Sequence, residues 1–156
     1  MIYGYRAGEM SVGSKLKKKV SIYGQAKIIS LLPGEEDEIL ISSTPMSSSG
    51  GRIPTAHRLN IYNGKMSPIV AGGPVPYANF FADRQGNIKI AVGTDKNHEK
   101  RVYRFLDDKN DWQEVPSESF GSGYYPLTFD ESGKNLLLID NKDHDVAGIY
   151  KLDLET

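Results

Sequence analysis

The sequence predicts an all-β chain, and three observations carry that prediction. The 156 residues include 16 Gly and 8 Pro. A long-helix bundle tolerates so many breakers poorly, because Gly costs about 1 kcal/mol and Pro about 3 kcal/mol in a helix interior. Aromatic residues make up 10%, and nine residues are Tyr, a side chain that suits a pleated, half-buried surface. The chain also repeats itself: an apolar strand, a polar turn and a second apolar strand recur three times.

The first copy runs Lys27–Leu32, Pro33–Glu38, Ile39–Ser42. The second runs Ala78–Ala82, Asp83–Asn87, Ile88–Val92. The third runs Tyr125–Phe129, Asp130–Asn135, Leu136–Asp140. Gly86 and Gly133 each stand three residues after an Asp, where a tight hairpin needs positive φ. The first turn departs from this, with Gly34 ahead of Glu35, Glu36 and Asp37. Each copy then adds a strand of alternating polarity: Arg58–Tyr62, Arg101–Leu106 and Gly148–Leu154. Short fourth strands follow at Met66–Val70, after Asn63-Gly64, and at Asp111–Val115. Ile39 to Ile88 spans 49 positions and Ile88 to Leu136 spans 48.

Four short antiparallel strands at a period of about 44–49 residues predict a partial β-propeller. A β-sandwich or a closed barrel also uses short strands, but neither requires a four-strand repeat. The predicted division is blades at 25–72 and 73–118 and an incomplete blade at 119–156. Residues 1–24, with strands at Ile2–Arg6 and Leu16–Ile22, read as the outer strands of a preceding blade. A propeller normally closes with 4–8 blades, so the expectation is a segment of a longer protein. Alternation places Ile28, Leu31, Ile39, Ile41, Leu59, Ile61, Phe80, Ile88, Ile90, Phe105, Leu127, Phe129, Leu136, Leu138 and Leu152 in the core. Open flanks would expose apolar side chains and unpaired edges, so a homo-oligomer through the blade edges is expected.

Composition narrows the function classes. The net charge of −1 argues against a dedicated nucleic-acid binder, which carries a basic face. Cys is absent, which removes disulfides, thiol nucleophiles and thiolate metal sites. No stretch approaches the 18 apolar residues of a membrane helix, and the first twenty residues lack the apolar region of a signal peptide. The expectation is a soluble protein with no membrane partner; the compartment stays open.

Residue patterns for chemistry are sparse. Gly121-Ser122-Gly123 is the nearest approach to the Gly-x-Ser-x-Gly nucleophile elbow, but no helix follows it. His57, His98 and His144 lie in or beside polar loops between the second and third strands of their units and read as solvated. The run from Asp140 to Asp145 fails as a calcium loop. Counted from Asn141, its sixth and twelfth positions are Val146 and Leu152; counted from Asp143, Ala147 falls at a ligand position. Gly72-Gly73-Pro74 precedes a strand and not a helix, so it is no phosphate cradle. Lys15, Lys17, Lys18 and Lys19 read as protection of an exposed edge, and Ser42–Gly51 as a mobile polar loop. No residue is assigned as catalytic, cofactor-binding or metal-binding, and the substrate-binding residues stay open.

A resemblance adds to this reading. Pro76–Asp83, Gly93-Thr94-Asp95, Arg101–Arg104 and Trp112 resemble the N-terminal propeller of bacterial prolyl oligopeptidase-family serine peptidases. The acylaminoacyl-peptidase and dipeptidyl-peptidase-like members are the most similar. Leu31-Leu32-Pro33, Ile39–Ile41 and Tyr150–Thr156 share the likeness, which covers most of residues 25–156 and extends in part to TolB-like propellers. The resemblance implies a propeller that covers an α/β-hydrolase domain and restricts entry to short peptides. That hydrolase domain, absent from this chain, and peptide substrates are the implied partners; no cofactor is implied. The family's catalytic motif has no counterpart here, so the chain alone is expected to be inactive. The alternative implied reading is a TolB-like protein-interaction module with no enzyme attached.

Overall fold

The computed structural model describes residues 2–3, 24–47, 49 and 51–154. The strands are β1 (Ile2–Tyr3), β2 (Gly24–Ser30), β3 (Glu38–Pro45), β4 (Thr55–Asn60), β5 (Met66–Val70), β6 (Asn79–Ala82), β7 (Ile88–Thr94), β8 (Lys100–Leu106), β9 (Asp111–Glu114), β10 (Tyr125–Phe129), β11 (Asn135–Asp140) and β12 (Gly148–Asp153). They form three antiparallel sheets in strict chain order: β1 to β5, β6 to β9, and β10 to β12. Each expected strand from residue 27 onward has its counterpart here.

The hairpin turns fold as their sequences require. Gly86 and Gly133 adopt φ of 83° and 70°, conformations that side-chain-bearing residues enter at a cost. An Asp opens each of these turns and an Asn closes it. Asp83 accepts from the Asn87 backbone and side-chain nitrogens, both at 2.9 Å. Asp130 accepts from the Asn135 amide at 2.7 Å and the Ser132 hydroxyl at 2.6 Å. The carboxylates satisfy turn N–H groups that would otherwise have no ladder partner.

Two apolar cores lie between the sheets. Leu32, Leu40, Ala56, Val70, Phe80, Ile88 and Ala91 form the first; Ile90, Val92, Val102, Phe120, Phe129, Leu136 and Leu138 form the second. Of the expected core, Ile41, Phe80, Ile88, Ile90, Phe129, Leu136 and Leu138 are buried. Ile39, Leu59, Phe105 and Leu152 are half-buried. Ile28, Leu31, Ile61 and Leu127 are exposed, against expectation.

The physical reason is a set of β-bulges. Pairing steps from Ile28↔Ile41 to Ser30↔Leu40, from Phe81↔Ile90 to Ala82↔Ile88, and from Pro126↔Leu138 to Thr128↔Leu137. Each step inserts one residue and reverses the side-chain phase beyond it. Ile29 therefore packs on the first core while Ile28 faces out. Ile88 and Ile90, two apart, serve different cores. Leu32, at φ 50°, turns inward at the strand end and leaves Leu31 outside.

Two further expectations change. Ser42–Pro45 are not loop but the end of β3, with Ser42 and Thr44 buried; their backbone groups pair with Ala56 and Thr55 on one side and with β2 on the other. Ile2–Tyr3 run antiparallel to Ala26 and Gln25 of β2, so they join the first sheet and not a preceding one. The strand expected at Leu16–Ile22 and the lysines at 15 and 17–19 lie outside the described residues.

Candidate functional site

The first main strands of the three sheets, β2, β6 and β10, line one groove of about 600 Å³. Ile28 and Ser30 come from β2, Asn79 and Phe81 from β6, and Tyr125 and Leu127 from β10. Among the described residues β6 and β10 are the outermost strands of their sheets on this side, and no described strand pairs with the edge that each turns toward the groove. Ile28, Tyr125 and Leu127 are among its exposed apolar side chains.

Cations gather around this apolar floor. Lys27 donates to the Asn79 side-chain oxygen at 2.9 Å, linking β2 to β6. Lys100 lies 4.3 Å from the Tyr124 ring centre and 5.6 Å from that of Tyr125, and it donates to the Tyr124 carbonyl. Burial lowers the Lys100 pKa. The Tyr124 hydroxyl donates to the Lys100 carbonyl at 2.9 Å. Burial, with the nearby acids Asp140 and Glu114 in support, pushes that phenol up to about 12, so it stays a donor. Arg84 pairs with Glu131 at 3.5 Å on the exposed rim. The arrangement suits an extended chain: unpaired strand edges for backbone groups, apolar side chains for contact, and ammonium groups for carbonyls or carboxylates.

The histidines and the Ser-Gly loop fall elsewhere. His57 lies within β4, and its Nε2 is 3.0 Å from the Ser43 hydroxyl. That corrects the solvated-loop reading, because a strand position half-buries the ring. Its Nδ1 is buried without a partner, so among the described residues no carboxylate completes a Ser–His–acid triad there. His98 and His144 sit in turns, His144 against the Tyr150 ring at 6.1 Å. Gly121-Ser122-Gly123 is a pinned loop. Gly121 N–H donates to the Asp140 carboxylate, and Gly123 N–H donates to Asn141 at 3.1 Å. The Asp140–Asp145 run thus spends its first two side chains on this loop. Among the described residues, no group of three or more His, Asp or Glu could hold a metal ion, and no helix is long and apolar enough to cross a membrane.

The groove was not readable from the chain. Its residues come from strands about 50 positions apart, and each looks like an ordinary strand residue. The repeated Asp-to-Asn turns were the available signal, since they mark equivalent strands in successive units. No family model, no curated protein and no solved structure matches the chain.

Proposed function

We propose that the chain is the non-catalytic propeller portion of a prolyl oligopeptidase-like serine peptidase. In this reading the sheets are successive blades, and the groove along β2, β6 and β10 is a sector of the propeller's central channel. The groove admits extended peptides and docks against an α/β-hydrolase domain absent from this chain. One observation carries the reading: three chain-ordered antiparallel sheets bring their first main strands to a common groove. The likeness of Pro76–Asp83 and Arg101–Arg104 to that family's blades supports it.

The test is the coding sequence beyond Thr156, followed by assay of its full product on a peptide length series. Expected are further blades, then a strand–Gly-x-Ser-x-Gly–helix unit, with cleavage that falls steeply as peptides lengthen. A stop codon just after Thr156, or an unrelated domain, overturns the peptidase reading. The TolB-like interaction module would then be the better description, with the groove binding a segment of another protein.

A further inference from the structure

β6 and β10 run side by side in one direction along the groove. Arg84, two residues past the end of β6, meets Glu131, two residues past the end of β10, at 3.5 Å. At the opposite end stand Asn79 and Tyr125, the first residues of the same strands. Lys27 donates to the Asn79 side-chain oxygen there, and the Lys100 ammonium lies over the Tyr124 and Tyr125 rings. The groove thus has two unlike ends, one with an ion pair and one with two ammonium groups.

The charges do not balance at the second end. Among the described residues, Lys27 and Lys100 donate to an amide oxygen and a backbone carbonyl and have no carboxylate partner. An ammonium carries three N–H donors, so each keeps donors for a guest. The carboxylate in the groove wall, Asp83, is buried and turned to its own hairpin, where Asn87 donates to both of its oxygens. At the far end Arg84 and Glu131 neutralise each other. An anion is therefore favoured at one end of the groove and not along its floor, which is apolar at Ile28, Tyr125 and Leu127.

An apolar floor between strand edges holds a peptide's backbone and side-chain carbons with little regard to its sequence. The anion that every such peptide can supply is its terminal carboxylate. With that group at the lysines, the guest runs antiparallel to β6 and β10, the direction in which strands pair slightly better. The wall from Asn79 to Arg84 matches about six extended residues, at about 3.3 Å each.

We infer that Lys27 and Lys100 bind the free C-terminal carboxylate of a short extended peptide that lies along the groove, antiparallel to β6 and β10. The inference rests on the reading of the groove as a peptide site and adds the polarity and the end group of its guest.

The probe is acetyl-Ala-Val-Thr-Ala-Val-Leu, titrated into the full, nitrogen-15-labelled chain as the free acid or as the C-terminal amide. The free acid should shift the amide resonances of Asn79 and Tyr125. It should bind about tenfold more tightly than the amide, the size of a hydrogen bond to a charged group, and the difference should shrink as salt rises. A third peptide, amidated but ending in Glu, carries its carboxylate on a side chain and should bind like the plain amide. Lys27→Gln and Lys100→Gln, both at exposed positions, should each cut the acid-over-amide ratio about threefold. The peptide comparison uses the unaltered chain, so it decides even where a variant folds poorly. Equal binding of acid and amide overturns the inference and leaves the peptide groove standing. Binding of neither overturns the inference together with the peptide reading of the groove. A Glu-ended amide that matches the free acid, a preference that survives both lysine variants, or shifts centred away from β6 and β10 also overturns the inference.

Discussion

The backbone N–H of Gly121 points between the two carboxylate oxygens of Asp140, 3.0 Å from each. Asp140 is buried at the end of β11, and this contact holds the segment that enters β10. A Cβ at Gly121 would stand 2.6 Å from Asp140 Oδ1, Asn141 Oδ1 and the Lys142 nitrogen. Gly121→Ala should therefore cost about 2–3 kcal/mol, the range for strain joined to a broken buried network. At Gly123 the nearest atom to a Cβ is 3.5 Å away, so Gly123→Ala should cost under about 0.5 kcal/mol. Urea denaturation of the two variants checks the difference; equal losses would mean the loop is not pinned by Asp140.

Trp112 is the only tryptophan and joins three elements through Phe80, Phe105 and Gly72. Trp112→Ala should cost about 2–4 kcal/mol, toward the lower part of the range for large aromatics because part of the ring stays in water. Trp112→Phe keeps most of the packing and loses the Gly72 bond, for about 1 kcal/mol. Thermal unfolding of both gives the split. A Phe variant as weak as the Ala variant would show that ring packing contributes little.

His57 is held in its neutral form. Burial lowers its pKa below the ordinary 6.5, and protonation would give the buried Nδ1 an N–H with no acceptor. The unfolded chain takes up the proton at higher pH than the folded chain. The stabilisation is therefore complete above pH 6.5 and is lost as pH falls through the folded value. An NMR titration of the ring should place it below 6.5, and His57→Gln should flatten stability across this window. A titration at or above that value would sink the assignment.

Asp130 acts lower on the pH scale. The Ser132 hydroxyl, then Lys151 and Asn135, hold its carboxyl well below the usual 3.8. A depressed carboxylate stabilises fully above the unfolded value, and the effect disappears as pH falls through the folded one. Asp130→Asn should be less stable than the natural chain at neutral pH, with the difference narrowing below pH 3.8. Denaturant midpoints across pH measure this, and a difference independent of pH would refute it.

The sequence by itself determined the strands and the turns between them. Breaker residues, alternation and the Asp-x-x-Gly turns are local, and local chemistry suffices where a strand's period and its hairpin glycine agree. Tertiary structure decided which face is inside. Ile28, Ile88 and Leu127 defeat strict alternation because a bulge beside each reverses the phase, and a bulge exists only in the pairing of two strands. It also decided what assembles. The groove of Ile28, Asn79 and Tyr125, the Ser43–His57 contact and the seat of Trp112 on Gly72 join residues between 14 and 97 positions apart. The two-residue alternation of a strand does not reach across such separations, and only the stacking of finished sheets brings these residues within reach.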